Sequence, residues 1–202
     1  MKLNMKNIYP LLLVLMSFFL SATVQAESSA LDVVKNTSSQ VIERLKDDSQ
    51  GIKSDPKRIN QLVDELITPS FDFPKMSRWV LGKNWRKASD DQKVRFSNAF
   101  QSLLIRTYSR ALAQSDNVDI KYLPEHPSKD GKKTTIKTEV YRPGGAPLIP
   151  ISYRLYKAGD TWKVYDVSID GVSLVSTYRG SFNDKIKKKG LDALISSLES
   201  RS

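Results

Sequence analysis

The sequence predicts an α+β fold in which an antiparallel sheet of about four strands packs against several helices. Three observations carry this. Apolar residues recur at spacings of three and four from about Ala30 to Gln114. Past Asp116 the period changes to two, in four short runs bounded by Pro, Gly, Asp and Lys clusters. From Val172 onward the helical spacing returns. Helices thus precede and follow one meandering sheet, and the short connections between its strands make it antiparallel.

The elements follow in order. Lys2 and Lys6 flank an almost wholly apolar run from Leu11 to Leu20, and Val24-Gln25-Ala26 supplies small residues at a cleavage site. Residues 1–26 are therefore expected to be a signal peptide cleaved after Ala26, too short in its apolar part to remain as a membrane span. Residues 27–202 are expected to form a single exported domain. Leu31, Val34, Ser38, Val41, Ile42 and Leu45 make one stripe on a helix from about Ala30 to Asp48. Asp55-Pro56 starts a second helix, which Thr68-Pro69 stops. A short helix is expected from Pro74 to Leu81, ending at Gly82.

The clearest helix is SDDQKVRFSNAFQSLLIRTYSRALAQ. Ser89 and Gln92 have capping-box spacing, Asp90 and Asp91 complement the helix dipole, and Phe96, Phe100, Leu103, Leu104, Tyr108 and Ala111 line one side. Core packing and a cavity wall both account for such a stripe. The runs VDIKYL, TTIKTEVYR, PISYRLYK and TWKVYDVSI are the four strands, with RPGGAP and KAGDTW as turns. The segment from Val172 to Lys188 reads as helical, and a last amphipathic helix carries Leu191, Leu194, Ile195 and Leu198.

Composition narrows the function. The 202 residues carry 32 basic and 22 acidic side chains, a formal charge of +10 that stays strongly positive once Lys2 and Lys6 are removed. Such a surface suits solubility, anionic membranes or acidic proteins; export separates it from nucleic acid. The absence of cysteine removes disulfides, thiol catalysis and thiolate metal sites. The single histidine, His126, lies between prolines in LPEHPSKDG, a solvated loop by this reading; a catalytic triad would need that one imidazole oriented by a carboxylate and within reach of a serine, and one histidine is a poor basis for a zinc site. Asp166 and Asp170 share a strand four residues apart, about 13 Å at the backbone. Glycosidase carboxylates stand about 5 to 9.5 Å apart. Asp170 is better read as closing a turn with Gly171, and Asp166 is left without a role. No phosphate-binding loop occurs. The KIKKKG run from Lys185 to Gly190 is a cationic helix end or a docking patch. What remains is a large apolar interior, the chemistry of a binding pocket.

TWKVYDVSIDGVSLVSTYRGSF, GLDALISSLESR and VLGKNWRKASDDQKVRFSNAFQSLLIRTYSRAL together resemble the MlaC family, periplasmic phospholipid carriers also known as toluene-tolerance auxiliary proteins. The resemblance runs from about Ala30 to Arg201. It implies a lipid cavity between helices and sheet, and a shuttle between an inner-membrane ABC transporter complex with an MCE-domain subunit and the outer-membrane lipoprotein MlaA bound to a porin. By the same resemblance the protein would maintain outer-membrane lipid asymmetry, with phospholipid as cargo rather than cofactor, and a monomer without enzymatic activity is expected. Lining candidates carried over are Val80, Leu81, Trp85, Phe96, Phe100, Leu103, Leu104 and Tyr108 from the helices. From the sheet side and beyond come Val140, Ile151, Tyr153, Val164, Val167, Ile169, Val172, Leu174, Val175 and Tyr178. Lys83, Arg86 and Arg179 are candidates for the mouth, where a cation would meet phosphate or a docking partner. The alternatives are a non-enzymatic envelope-binding or scaffold protein that uses its basic surface over a filled core, and a hydrolase dependent on His126 or a carboxylate.

Overall fold

A computed structural model describes residues 28–200; the expected signal peptide lies outside the described residues. Helix α1 (Ala30–Asp47) opens on a capping box that the stripe alone does not announce. Ser29 Oγ accepts from the Asp32 amide, and the Asp32 carboxylate accepts from the Ser29 amide, each at 3.1 Å. A short α2 (Ser49–Ser54), unanticipated, precedes α3 (Pro56–Leu62), where Asp55 accepts from the Lys57 amide as its cap. A π-helical turn, Val63–Ile67, and a 3-10 turn, Thr68–Ser70, then deliver the chain to Phe71. Helix α4 (Phe73–Leu81) is capped by Asp72 and ends at Gly82. After a 3-10 turn, Gly82–Arg86, comes α5 (Asp90–Ala113), whose Ser89–Gln92 capping box forms as the spacing predicts.

The sheet contains β1 (Asp119–Tyr122), β2 (His126–Pro127), β3 (Lys133–Tyr141), β4 (Ile149–Ala158), β5 (Thr161–Ile169) and β6 (Val172–Ser173). Their order is β1-β3-β4-β5-β6, with β2 also paired to β3, and the pairings between them are antiparallel. The four anticipated strands are β1, β3, β4 and β5. Two residues show no period, which is why β2 and β6 escape a pattern reading. His126 is accordingly not in a loop but pairs with Thr135, still exposed.

Asp170 and Gly171 both have positive φ, 51° and 78°, the backbone of a tight hairpin turn. That hairpin puts Val172 on β6 rather than on a helix. Helix α6 (Leu174–Lys189) starts two residues after Val172, capped by Ser173, and α7 (Leu191–Glu199) follows. Opposite Arg154 and Leu155 the register slips by one residue, because Arg154 faces Asp166 while Leu155 faces Val164. This bulge at Tyr165 places Val164 and Val167 on one sheet face although they are three apart. Asp166 goes to the other.

Buried apolar residues form three clusters. One joins α4, α5, α6 and α7; a second joins α1 to the sheet; a third joins the end of α1 to α2 and α3. Among the described residues no helix is long and apolar enough to cross a membrane.

Candidate functional site

An apolar cavity is bordered by members of all three clusters, among them Leu104, Val164 and Leu45. Its larger lobe, about 480 Å³, lies between the C-terminal half of α5 and the inner face of β4 and β5, with Met76, Leu104, Tyr108, Val167 and Ile169 on its walls. A smaller lobe, about 180 Å³, runs beneath α1, against Val33, Val41, Leu45, Ile120 and Val164. Ile67, Phe71, Leu112, Val118, Val140, Ile151 and Tyr153 line both lobes, which are therefore neighbours with a common wall.

Strand register explains the sheet wall. Ile136, Tyr153 and Val167 stand side by side across β3, β4 and β5, as do Thr138, Ile151 and Ile169. Alternation then points each row the same way, and the bulge adds Val164 to that face. From α5, Leu104, Tyr108 and Leu112 follow at intervals of four, one side of the helix.

Apart from Arg142, the polar groups lining these walls among the described residues are neutral. Thr37 and Ser70 share a hydrogen bond of 2.8 Å, and Ser38 shares one with Tyr122. Burial pushes the Tyr153 phenol up to about 12 and raises that of Tyr108, so both stay protonated at neutral pH. Arg142 is the one charged residue lining either lobe among the described residues.

The structure divides the sequence candidates. Leu104, Tyr108, Val140, Ile151, Tyr153, Val164, Val167, Ile169 and Leu174 line the cavity. Val80, Leu81, Phe96, Phe100 and Val175 are instead buried in the helical cluster, with Trp85, Leu103 and Tyr178 packed against it. There Phe96 and Phe100 stack at 5.9 Å and Tyr178 meets Phe100 edge-on at 5.3 Å. The cause is the length of α5: its 24 residues carry one apolar stripe past two environments, the packed helices α6 and α7 first and the cavity afterwards. Val172 is 57% exposed, turned outward by the β5–β6 hairpin. Lys83, Arg86 and Arg179 are exposed and do not line the cavity. The Arg179 guanidinium lies against Gly82, where an added Cβ would stand 3.1 Å from it.

Sequence reasoning missed Val33, Ile67, Phe71, Leu112 and Val118, and assigned the α1 stripe to a helix without placing it at the site. The signal for α1 was present in Val34, Val41 and Leu45. An amphipathic stripe reads alike over a filled or an empty interior.

Asp166 also receives a place. It is 3% exposed, and its carboxylate accepts from the Val175 amide and from Ser173 Oγ at the start of α6. With Arg154 also approaching at 3.4 Å, the carboxylate ties β5 to the start of α6.

Comparison with known proteins places these features in a family. The family model described as "MlaC protein" matches residues 35–200. The toluene tolerance protein ttg2D of Pseudomonas putida is 30% identical over 182 residues, covering 90% of this chain and 83% of the relative. The intermembrane phospholipid transport system binding protein MlaC of Haemophilus influenzae is 24% identical over 188 residues, covering 92% and 88%. A solved structure of a phospholipid-binding protein from Ralstonia solanacearum, in complex with a phospholipid, superposes with a TM-score of 0.78 at 32% identity, covering 87% of this chain and 97% of that one.

Proposed function

Because this chain belongs to the MlaC family, we propose that it is a periplasmic carrier that holds phospholipid acyl tails in its two-lobed cavity. It receives and delivers lipid at two docking partners, an inner-membrane ABC transporter complex with an MCE-domain subunit and an outer-membrane complex of MlaA with a porin. In this reading it maintains outer-membrane lipid asymmetry, acts as a monomer without cofactor, and catalyses nothing. The observation that carries the proposal is the cavity, whose walls are mostly apolar from both helices and sheet and, among the described residues, hold a single charge. The superposition on a protein solved with phospholipid bound supports the identity of the cargo. The exposed His126 and the structural engagement of Asp166 support a non-enzymatic reading.

The energetics favour handover. Two tails of about fifteen methylenes each, at about 0.8 kcal/mol per buried methylene, amount to roughly 24 kcal/mol relative to water. That exceeds the practical ceiling of non-covalent affinity, about 18 to 21 kcal/mol. The relevant comparison is carrier against bilayer, where both sites are oily and the tail contributions nearly cancel. Small biases at a docked partner then decide which way the lipid moves.

Native mass spectrometry of the purified mature protein, followed by denaturation and lipid extraction from the same sample, tests the reading. A stoichiometric phospholipid released on denaturation is expected. A homogeneous lipid-free mass that also takes up no phospholipid from anionic or zwitterionic vesicles would refute it.

A further inference from the structure

Among the described residues, Arg142 is the one cation that lines the cavity. It lies just past the end of β3 and lines the larger lobe beside Ile149, opposite the C-terminal end of α5. Residues 141 to 148 are all exposed, as are Ala111 and Gln114 across the gap, so the apolar cavity meets solvent here. Ser109, Gln114 and Ser115 line the same lobe, which makes this end polar while the rest is oily.

The guanidinium of Arg142 donates to the Pro147 carbonyl oxygen, at 3.4 Å, within its own loop. It forms no ion pair among the described residues, whereas two other cations of the sheet are engaged: Lys121 by Glu139 and Arg154 by Asp166. A phosphate at this mouth would also approach the C-terminal carbonyls of α5, the negative end of that helix's dipole, and needs a cation to offset them. Guanidinium suits the task because its planar donors match phosphate oxygens in pairs.

We propose that Arg142 contacts the headgroup phosphate of the carried phospholipid at the mouth of the cavity. The assignment rests on the carrier reading above and replaces Lys83, Arg86 and Arg179 in that role. Recognition of phosphate rather than of any one headgroup leaves the cargo class broad, covering both anionic and zwitterionic phospholipids.

The test compares uptake of two acyl-labelled lipids with identical chains, phosphatidylglycerol and diacylglycerol, from vesicles by the full mature protein and by Arg142→Ala, Arg142→Glu and Arg142→Lys. Phosphatidylglycerol uptake should fall about three- to fivefold in the alanine variant, the scale of one partly exposed charge-assisted contact. It should fall further in the glutamate variant and recover in part with lysine, while diacylglycerol uptake stays unchanged. Equal loss of both lipids, or loss of neither, overturns the assignment while leaving the carrier intact. Failure of the unsubstituted protein to take up either lipid sinks the carrier reading instead, and the assignment with it. A titration with inorganic phosphate separates the two sources of this chemistry. If phosphate alone binds in an Arg142-dependent way and the two lipids do not diverge, the ligand is the free ion and the headgroup assignment fails.

Discussion

The buried carboxylate of Asp166 accepts a hydrogen bond from the backbone amide of Val175 at 3.1 Å, tying β5 to the first turn of α6. Ser173 Oγ donates to the same carboxylate at 2.7 Å, and Arg154 approaches at 3.4 Å from the sheet. The first amides of a helix have no partner within it, and a carboxylate there answers both the donor and the dipole. Asp166→Ala should therefore lower the unfolding free energy by about 2 to 3 kcal/mol, the loss of charge-assisted bonds in a buried place. Arg154→Ala, whose side chain is half exposed, should cost under about 1 kcal/mol. Urea unfolding of both variants checks this, and equal small losses would show that the carboxylate is not the anchor.

The division between packed cluster and cavity predicts two different mutant classes. Phe96 is fully buried among aromatic rings, so Phe96→Ala should cost about 3 to 5 kcal/mol of stability while lipid content per folded molecule stays unchanged. Ile151 borders both lobes, and Ile151→Trp should lower co-purified phospholipid more than twofold with a smaller change in stability, since the added volume enters open space. Val172→Trp should alter neither, because Val172 is outside the cavity. Lipid extraction beside denaturant melts reads both properties. A Phe96→Ala protein that stays folded but loses its lipid would dissolve the distinction.

Periodicity made the order of helices and strands legible, and the Ser89–Gln92 box and Asp55 cap could be read directly because capping residues act over three positions. The cavity was only half legible. Tyr153 and Val167 belong to alternating strands whose inner face is recognisable, but the bulge at Tyr165 reverses the alternation, and only the strand partner reveals it. Phe96 and Tyr108 occupy one stripe of one helix, yet the first meets other rings and the second a lumen. That difference lies in what α6 and α7 cover, a long-range fact. Arg142 sits in a turn segment whose composition says only that the chain reverses.

Alkaline pH should weaken the fold through Tyr153. Burial raises its folded-state value to about 12, above the ordinary value of 10 that an unfolded tyrosine keeps. Between those values the folded state binds more protons than the unfolded one, so stability falls as pH rises from 10 toward 12 and is undisturbed below. Tyr153→Phe removes this group, and its unfolding midpoint should decline less steeply over that window than that of the unsubstituted protein. Parallel pH profiles for the two would show that the phenol is not held neutral by its surroundings.

Gly82 ends α4 at φ 54° and ψ −116°, a backbone that side chains disfavour, and the Arg179 guanidinium rests against it. Gly82→Ala therefore meets two obstacles: strain of about 1 to 3 kcal/mol and a contact 3.1 Å from Arg179. The contact involves the far end of a flexible, exposed side chain, which can swing aside; the backbone has no such escape. Combining Gly82→Ala with Arg179→Ala should therefore recover only a few tenths of a kcal/mol of the loss, a small coupling in a double-mutant cycle. Full recovery would mean that the guanidinium, and not the backbone, sets the requirement for glycine. Because neither residue lines the cavity, phospholipid bound per folded molecule should be the same in all four proteins, and a drop confined to the Arg179 variants would return that residue to the lipid site.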